Sequence, residues 1–202
     1  MNKIYASIFG AAMLAVACTA QAEDDRDKAT AMMKRDFHAK SIAGMERLNE
    51  DGLQALCNRS HNQPSRSVAE RLQQDQLAGI KYPADGKFLG DWKSGEKIAQ
   101  NGRGMTWSDG GAGANGGSCY NCHEIGPNET SFGNIGNSLR QFGKHRGNNA
   151  QTQKYVYGKI YNAKAFNLCS NMPRFGHSGT LTEQQIKDLV ALLLDPDSPV
   201  NK

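Results

Sequence analysis

The residues with the most chemistry in this chain stand together: Cys119, Cys122 and His123, in the run C-Y-N-C-H. Three uses of such a run compete. A zinc site needs four ligands, usually from a second close pair of Cys or His, and no second pair at that spacing occurs. A thioredoxin-like redox site sets C-x-x-C in a βαβ frame, and strand signals are scarce here. The third use is covalent attachment of a c-type haem. Cysteines at i and i+3 lie on one side of a helical turn, so both sulfurs reach the two vinyl groups along one porphyrin edge. The next residue, His123, then turns its imidazole toward the iron as proximal ligand. The spacing favours haem c, with Cys119 and Cys122 as covalent anchors and His123 as an axial ligand.

A haem iron that carries electrons usually has a sixth ligand, commonly histidine or methionine. Met105, Met172, His145 and His177 are the candidates. A lone Met or His is more often core filler or a solvated surface residue. Met172 differs because it precedes Pro173, which is poorly tolerated inside a helix, in a loop between two helical stretches beyond His123. His177, flanked by Gly176 and Ser178-Gly179, is the fallback. Methionine opposite histidine favours ferrous iron and raises the potential. With both axial positions filled, small-molecule catalysis at this iron is not expected.

The elements that must position these residues read as helices. Ala29 to Leu48 carries Met32, Met33, Phe37, Ile42, Met45 and Leu48 at roughly helical spacing. Ser67-Val68-Ala69-Glu70 reads as a capping box opening a helix from Val68 to about Leu77, with the preceding CNRSHNQPS as a loop. Trp92 to Gln100 is a short amphipathic helix stopped by Asn101-Gly102. A glycine-rich segment, residues 102–118, leads into the cysteine motif. It lacks the terminal Gly-Lys-Ser/Thr of a phosphate loop and reads as a loop near the haem edge or a partner surface. Beyond the motif, Gly126-Pro127 marks a turn, FGNIGNSLRQFG a turn and short helix, and Thr152 to Asn162 a further helix. The last helix is opened by Thr182 with Gln185 at the reciprocal capping position. Its apolar stripe is Ile186, Leu189, Val190 and Leu193, and Asp195-Pro196 ends it. The expected class is all-α, with a helical N-terminal extension over residues 23–78 and a domain over residues 79–202.

Residues 1–22 read as a secretory signal peptide cleaved near Ala22, with Lys3 before a short apolar run and Ala20-Gln21-Ala22 as the cleavage site. That run is too short to span a bilayer. Ala15-Val16-Ala17-Cys18 loosely resembles a lipoprotein cleavage box with Cys18 as the lipidated residue; Ala where that box prefers Leu makes this the weaker option. The mean hydropathy of −0.63 excludes a multi-span membrane protein. A net charge of +4 gives no argument for nucleic acid and allows only weak steering of an acidic partner. The expected location is the periplasm, where cysteines are usually bonded.

The succession GRGMTWSD, CYNCHEI, GNIGNSLRQFGKHRG, CSNMPRFG and DLVALLLDPDSPVN resembles the SoxX family of sulfur-oxidation cytochromes, over roughly Cys57 to Val200. The order of helix, CxxCH, loop, helix, Met-Pro loop and C-terminal helix is similar to that of class I cytochrome c domains, whose first and last helices cross at the haem edge. Trp92 to Gln100 and Thr182 to Leu194 would be those two. The glycine-rich insertion before CxxCH departs from the small members of that fold. The resemblance implies a monohaem subunit that forms a heterodimer with a SoxA-like cytochrome. Such a complex, an L-cysteine S-thiosulfotransferase, joins thiosulfate oxidatively to a cysteine of a SoxYZ-like carrier and releases two electrons. The catalytic cysteine and active-site haem are expected in the SoxA-like partner, and the haem held here would pass electrons to a downstream cytochrome c. Residue by residue, Cys119 and Cys122 would attach haem, and His123 and Met172 would ligate it. Cys57 and Cys169 are expected to form a disulfide tying the extension to the methionine loop; the other reading makes Cys169 a reactive thiol. Arg174 is placed to meet a haem propionate or a carboxylate, and Trp107 and Phe175 to pack around the porphyrin. The rival function is a stand-alone class I cytochrome c carrier.

Overall fold

A computed structural model of the chain describes residues 25–110 and 113–202. The signal-peptide reading of residues 1–22, with Cys18, lies outside the described residues. The chain divides into two compact units, one ending at Glu50 and one spanning Asp51–Lys202.

In the first unit residues 25–36 are helical (α1). Lys40 and Ala43 form an isolated antiparallel bridge, and a 3-10 turn covers Met45–Leu48. The single helix expected from Ala29 to Leu48 is therefore interrupted. The reason is local: Ser41 takes a left-handed φ of 51°, which closes a turn between Lys40 and Ala43 and breaks the helical ladder. Met32, Met33, Phe37 and Ile42 are exposed, so the spacing of those residues did not report a buried stripe.

The second unit contains α2 (Gly52–Arg59), α3 (Arg66–Ala78), α4 (Trp92–Gln100), α5 (Phe142–Arg146), α6 (Ala150–Tyr161) and α7 (Glu183–Leu194). No strand occurs among the described residues, and the class is all-α. Two local expectations are corrected. Cys57 lies in a helix, not in a loop, because Asp51 and Gln54 form a reciprocal capping box that starts α2. Helix α3 begins at Arg66, and its N-cap Ser65 makes no side-chain bond. Glu70 pairs with Arg66 at 2.7 Å instead of closing a box on Ser67.

The core forms where α4 and α7 cross. Gly95 sits at the crossing: a Cβ there would lie 2.2 Å from the Asp188 carbonyl oxygen and 3.0 Å from Leu192 Cβ. Only hydrogen fits, so the two backbones approach closely. The start of α4 is docked on α7 by polar groups too. The Gly90 N–H donates to the Lys187 carbonyl at 3.0 Å, and the Asp91 N–H to the Asp188 carboxylate at 2.9 Å. Thr182 and Gln185 make the expected capping box at the head of α7. Ile186, Val190, Leu192 and Leu194 are almost wholly buried, so the second half of α7 is apolar on every side. Replacing Gly95 with leucine is expected to cost about 3 kcal/mol through overpacking of this crossing, read as a lower midpoint in denaturant at unchanged slope.

The tail after α7 closes the helix end. Ser198 Oγ donates to the Leu192 carbonyl at 2.5 Å, and Asn201 Nδ2 to the carbonyls of Leu193 at 3.1 Å and Asp195 at 2.9 Å. These are the carbonyls that a helix leaves without partners. The same tail holds α5: the Gln141 N–H donates to the Val200 carbonyl at 2.8 Å, and the Gly143 N–H to Asn201 Oδ1 at 2.9 Å. Thus DPDSPVN is a C-terminal cap and a seat for α5. No helix among the described residues is long and apolar enough to cross a membrane.

Candidate functional site

The cysteine motif forms one 3-10 turn, Cys119–Asn121, entered through Ser118 at a left-handed φ of 47°. The N–H groups of Cys122 and His123 both donate to the Cys119 carbonyl, at 3.1 and 2.9 Å. This gathers Cys119, Cys122 and His123 into one turn. The turn stands directly at the end of α4 although eighteen residues separate Gln100 from Cys119. The glycine-rich segment leaves and returns at one place. The Ser118 N–H donates to the Asn101 carbonyl at 3.1 Å, and the Gly117 N–H to the Ile98 carbonyl at 2.9 Å. A Cβ at Gly116 would lie 2.0 Å from the Asn101 carbonyl oxygen, so glycine is required where the loop closes. None of its described residues lines the cavity discussed next. The loop was expected near the haem edge or at a partner surface; its last residues abut the cysteine turn, where a Cβ at Gly117 would lie 2.8 Å from Cys119 Sγ.

A second tie comes from α4. Tyr120, buried between the two cysteines, donates its hydroxyl to Glu96 Oε1 at 2.9 Å and accepts the Gly126 N–H at 3.1 Å. Burial pushes the Glu96 carboxyl above its ordinary range; the Tyr120 hydroxyl pulls it back only in part, and Glu129 adds to the rise. A carboxyl raised on folding lends stability below its unfolded pKa and loses it as pH climbs through the folded value. Glu96→Gln is therefore expected to flatten the fall in stability with rising pH just above the ordinary glutamate range, measured by unfolding at a series of pH values.

The turn opens onto an apolar cavity of about 360 Å³. Its walls include Cys119, His123 and Met172, with Ile125, Phe142 and Phe175. His123 Nδ1 lies 2.7 Å from the Asn137 carbonyl oxygen. A carbonyl accepts only, so Nδ1 carries the proton and Nε2 keeps its lone pair for a metal. The loop bearing Asn137 passes close over the imidazole, since a Cβ at Gly136 would lie 2.2 Å from His123 Cε1. Burial pushes the Cys119 thiol up to about 12. Among the described residues no three His, Cys, Asp or Glu side chains are grouped to hold a metal ion. The donor set fits a haem: the Cys119 thiol, an imidazole with a free Nε2 and a thioether share one largely apolar cavity, and Cys122, in the same turn as Cys119, is not in its wall. His145 also lines the cavity; Met105 and His177 do not. Phe175 is in the wall, whereas Trp107, expected beside the porphyrin, is outside it and 53% exposed.

Helix α2 grips the Met172 segment from both sides. Cys57 and Cys169 are joined by a disulfide with Cα atoms 5.5 Å apart. Arg174 pairs with Asp51, the residue that caps α2 and accepts the Gln54 N–H at 2.7 Å. Partial burial pushes the Asp51 carboxyl up, but the Gln54 N–H and the Arg174 guanidinium outweigh it and hold it below the usual carboxylate range. Asp51 thus lends stability above that range and loses it as pH falls. Arg174 meets a carboxylate, one of the two partners open to it. The role of Asp51 was missed, although the D-x-x-Q spacing before an apolar run signals an N-cap.

No family profile matches the chain. An uncharacterised lipoprotein of Aquifex aeolicus (strain VF5) is 42% identical over 131 residues, which cover 63% of this chain. The match spans 61% of that relative's own length.

Proposed function

We propose that this protein is a monohaem c-type cytochrome, the electron-accepting subunit of a SoxAX-like complex. The observation that carries the reading is that Cys119, His123 and Met172 line one and the same apolar cavity, with His123 held in the tautomer that frees Nε2. A covalently bound haem c would supply a one-electron redox centre. Cys119 and Cys122 would anchor it through thioethers, and His123 and Met172 would hold its iron. The Asn137 carbonyl orients the imidazole, and α2 holds the methionine segment. Ile125, Phe142 and Phe175 keep water from the site, which favours the less charged, reduced state. The domain is of class I cytochrome c type, with α4 and α7 as the crossing pair.

The reading of the partners rests on the resemblance to SoxX. A SoxA-like subunit supplies the catalytic cysteine. The complex oxidises thiosulfate and a SoxYZ-like carrier thiol to an S-thiosulfonate, releasing one proton and two electrons. The electrons leave one at a time through this subunit to a downstream cytochrome c. The chain is exported, in keeping with CxxCH and with the lipoprotein name of its relative. Mass measurement of the mature N-terminus separates cleavage near Ala22 from acylation of Cys18.

The test is a pull-down of the tagged holo-protein from the periplasm of thiosulfate-grown cells, with the haem spectrum followed as thiosulfate and carrier are added. Co-purification of a SoxA-like subunit, with reduction only when both are present, supports the proposal. Isolation alone, with reduction by unrelated donors, leaves a free-standing carrier. Absence of a haem spectrum overturns both readings.

A further inference from the structure

The charge of this chain is unevenly placed. Between Glu129 and Glu183 there are seven Lys and Arg residues and no Asp or Glu, although the whole chain carries only +4. Three of these bases, Arg140, Arg146 and Lys159, line the cavity that holds His123 and Met172. Lys144, exposed on α5, adds a fourth. Among the ion pairs of the described residues, only Arg140 of this group meets a carboxylate, Glu124, at 3.2 Å. Ile135 lies in the loop that passes over the His123 ring and is 83% exposed, and Phe132 in the same loop is 45% exposed. That loop is not slack: the Gly133 and Gly136 N–H groups donate to the carbonyls of Tyr120 and Cys122, both at 2.8 Å. The turn that bears the cysteines thus holds Ile135 out in solvent. Apolar residues fixed in solvent and bordered by charge are the anatomy of an interaction surface.

We propose that the loop over residues 131–139 and the bases of α5 and α6 form a docking face for an acidic protein, with Ile135 at its apolar centre. A second copy of this chain is disfavoured as occupant, because two such faces carry like charge and repel. A lipid surface is disfavoured because, among the described residues of this face, it finds only three exposed large apolar side chains, Phe132, Ile135 and Tyr155, to bury. An acidic protein satisfies both features: carboxylates for Arg146, Lys144 and Lys159, and an apolar patch for Ile135. The identification of that protein as an electron-transfer partner rests on the cytochrome reading; the face itself rests on charge and exposure alone.

The test uses the full mature protein, isotopically labelled and reduced, titrated with a small acidic blue-copper protein as probe. Nuclear magnetic resonance shifts report where it binds. Shifts should concentrate on residues 132–146 and on Lys159. Lys144→Glu with Arg146→Glu should weaken binding at least tenfold at low salt, and Ile135→Ser should weaken it with little change in salt dependence. Lys93→Glu with Lys97→Glu, exposed on α4, removes the same net charge and should leave affinity within about twofold. Equal loss in both double variants would mean attraction by net charge only and would overturn the face. So would the absence of binding, or vesicles of one part phosphatidylglycerol to three parts phosphatidylcholine shifting the same residues more strongly. Binding is read from amide shifts, so a missing haem spectrum would sink the cytochrome reading without deciding the docking face.

Discussion

Met172→Ala is expected, on the proposed cytochrome reading, to keep the haem covalently attached, lose the thioether–iron absorption band, and lower the reduction potential. The proposed covalent anchors, Cys119 and Cys122, are separate from the proposed sixth ligand, so attachment and ligation part company in this variant. The fall in potential follows from losing a soft ligand that stabilises ferrous iron. His145 is the natural control, since it lines the same cavity and histidine is, with methionine, the common sixth ligand. His145→Ala should leave the thioether band and the potential unchanged. The reverse pattern, an unchanged Met172→Ala and a shifted His145→Ala, would assign the sixth position to His145.

The second large effect is expected at the disulfide. Cys57 and Cys169 are 112 residues apart in sequence, and chain entropy gives a loop of that size a stabilisation of about 4–5 kcal/mol. Cys57→Ala with Cys169→Ala should lower unfolding stability by roughly that amount, measured by denaturant midpoints on both proteins in parallel. The change should also reach the haem. Cys169 and Arg174 flank Met172, and both are held by α2, through Cys57 and through Asp51. Loss of the disulfide leaves one hold, so the thioether band should weaken on warming at temperatures below global unfolding. A stability loss with the band intact to the unfolding midpoint would mean that α2 supports the fold but does not position Met172. Asp51→Asn then separates the two holds, since it keeps a capping side chain while removing the ion pair to Arg174.

Some of the site was legible because its signals are local. CxxCH occupies five consecutive residues, and the i, i+3 spacing follows from the geometry of one turn. The two helices that bracket the domain were legible for the same reason. Trp92–Gln100 carries its own stop, and Thr182 and Gln185 cap each other three residues apart. Local signals also misled. The apolar spacing from Ala29 to Leu48 resembles a helix stripe, but a left-handed Ser41 breaks it. The Ser67–Glu70 box lost its glutamate to Arg66.

The amino-acid order by itself determined the all-α class, the turn of the cysteine motif, and the set of residues proposed to hold a haem. Only the tertiary structure decided which of them share a cavity. It brought Met172 and His145, but not His177 or Met105, to the walls beside His123. It folded the glycine-rich insert back on Asn101, so that a long departure in sequence is no departure in space. It made α2 the support of the methionine segment and the tail the seat of α5. The physical reason is common to all of these. Each depends on contacts between residues far apart in the chain, and no local spacing encodes which distant partner will be near.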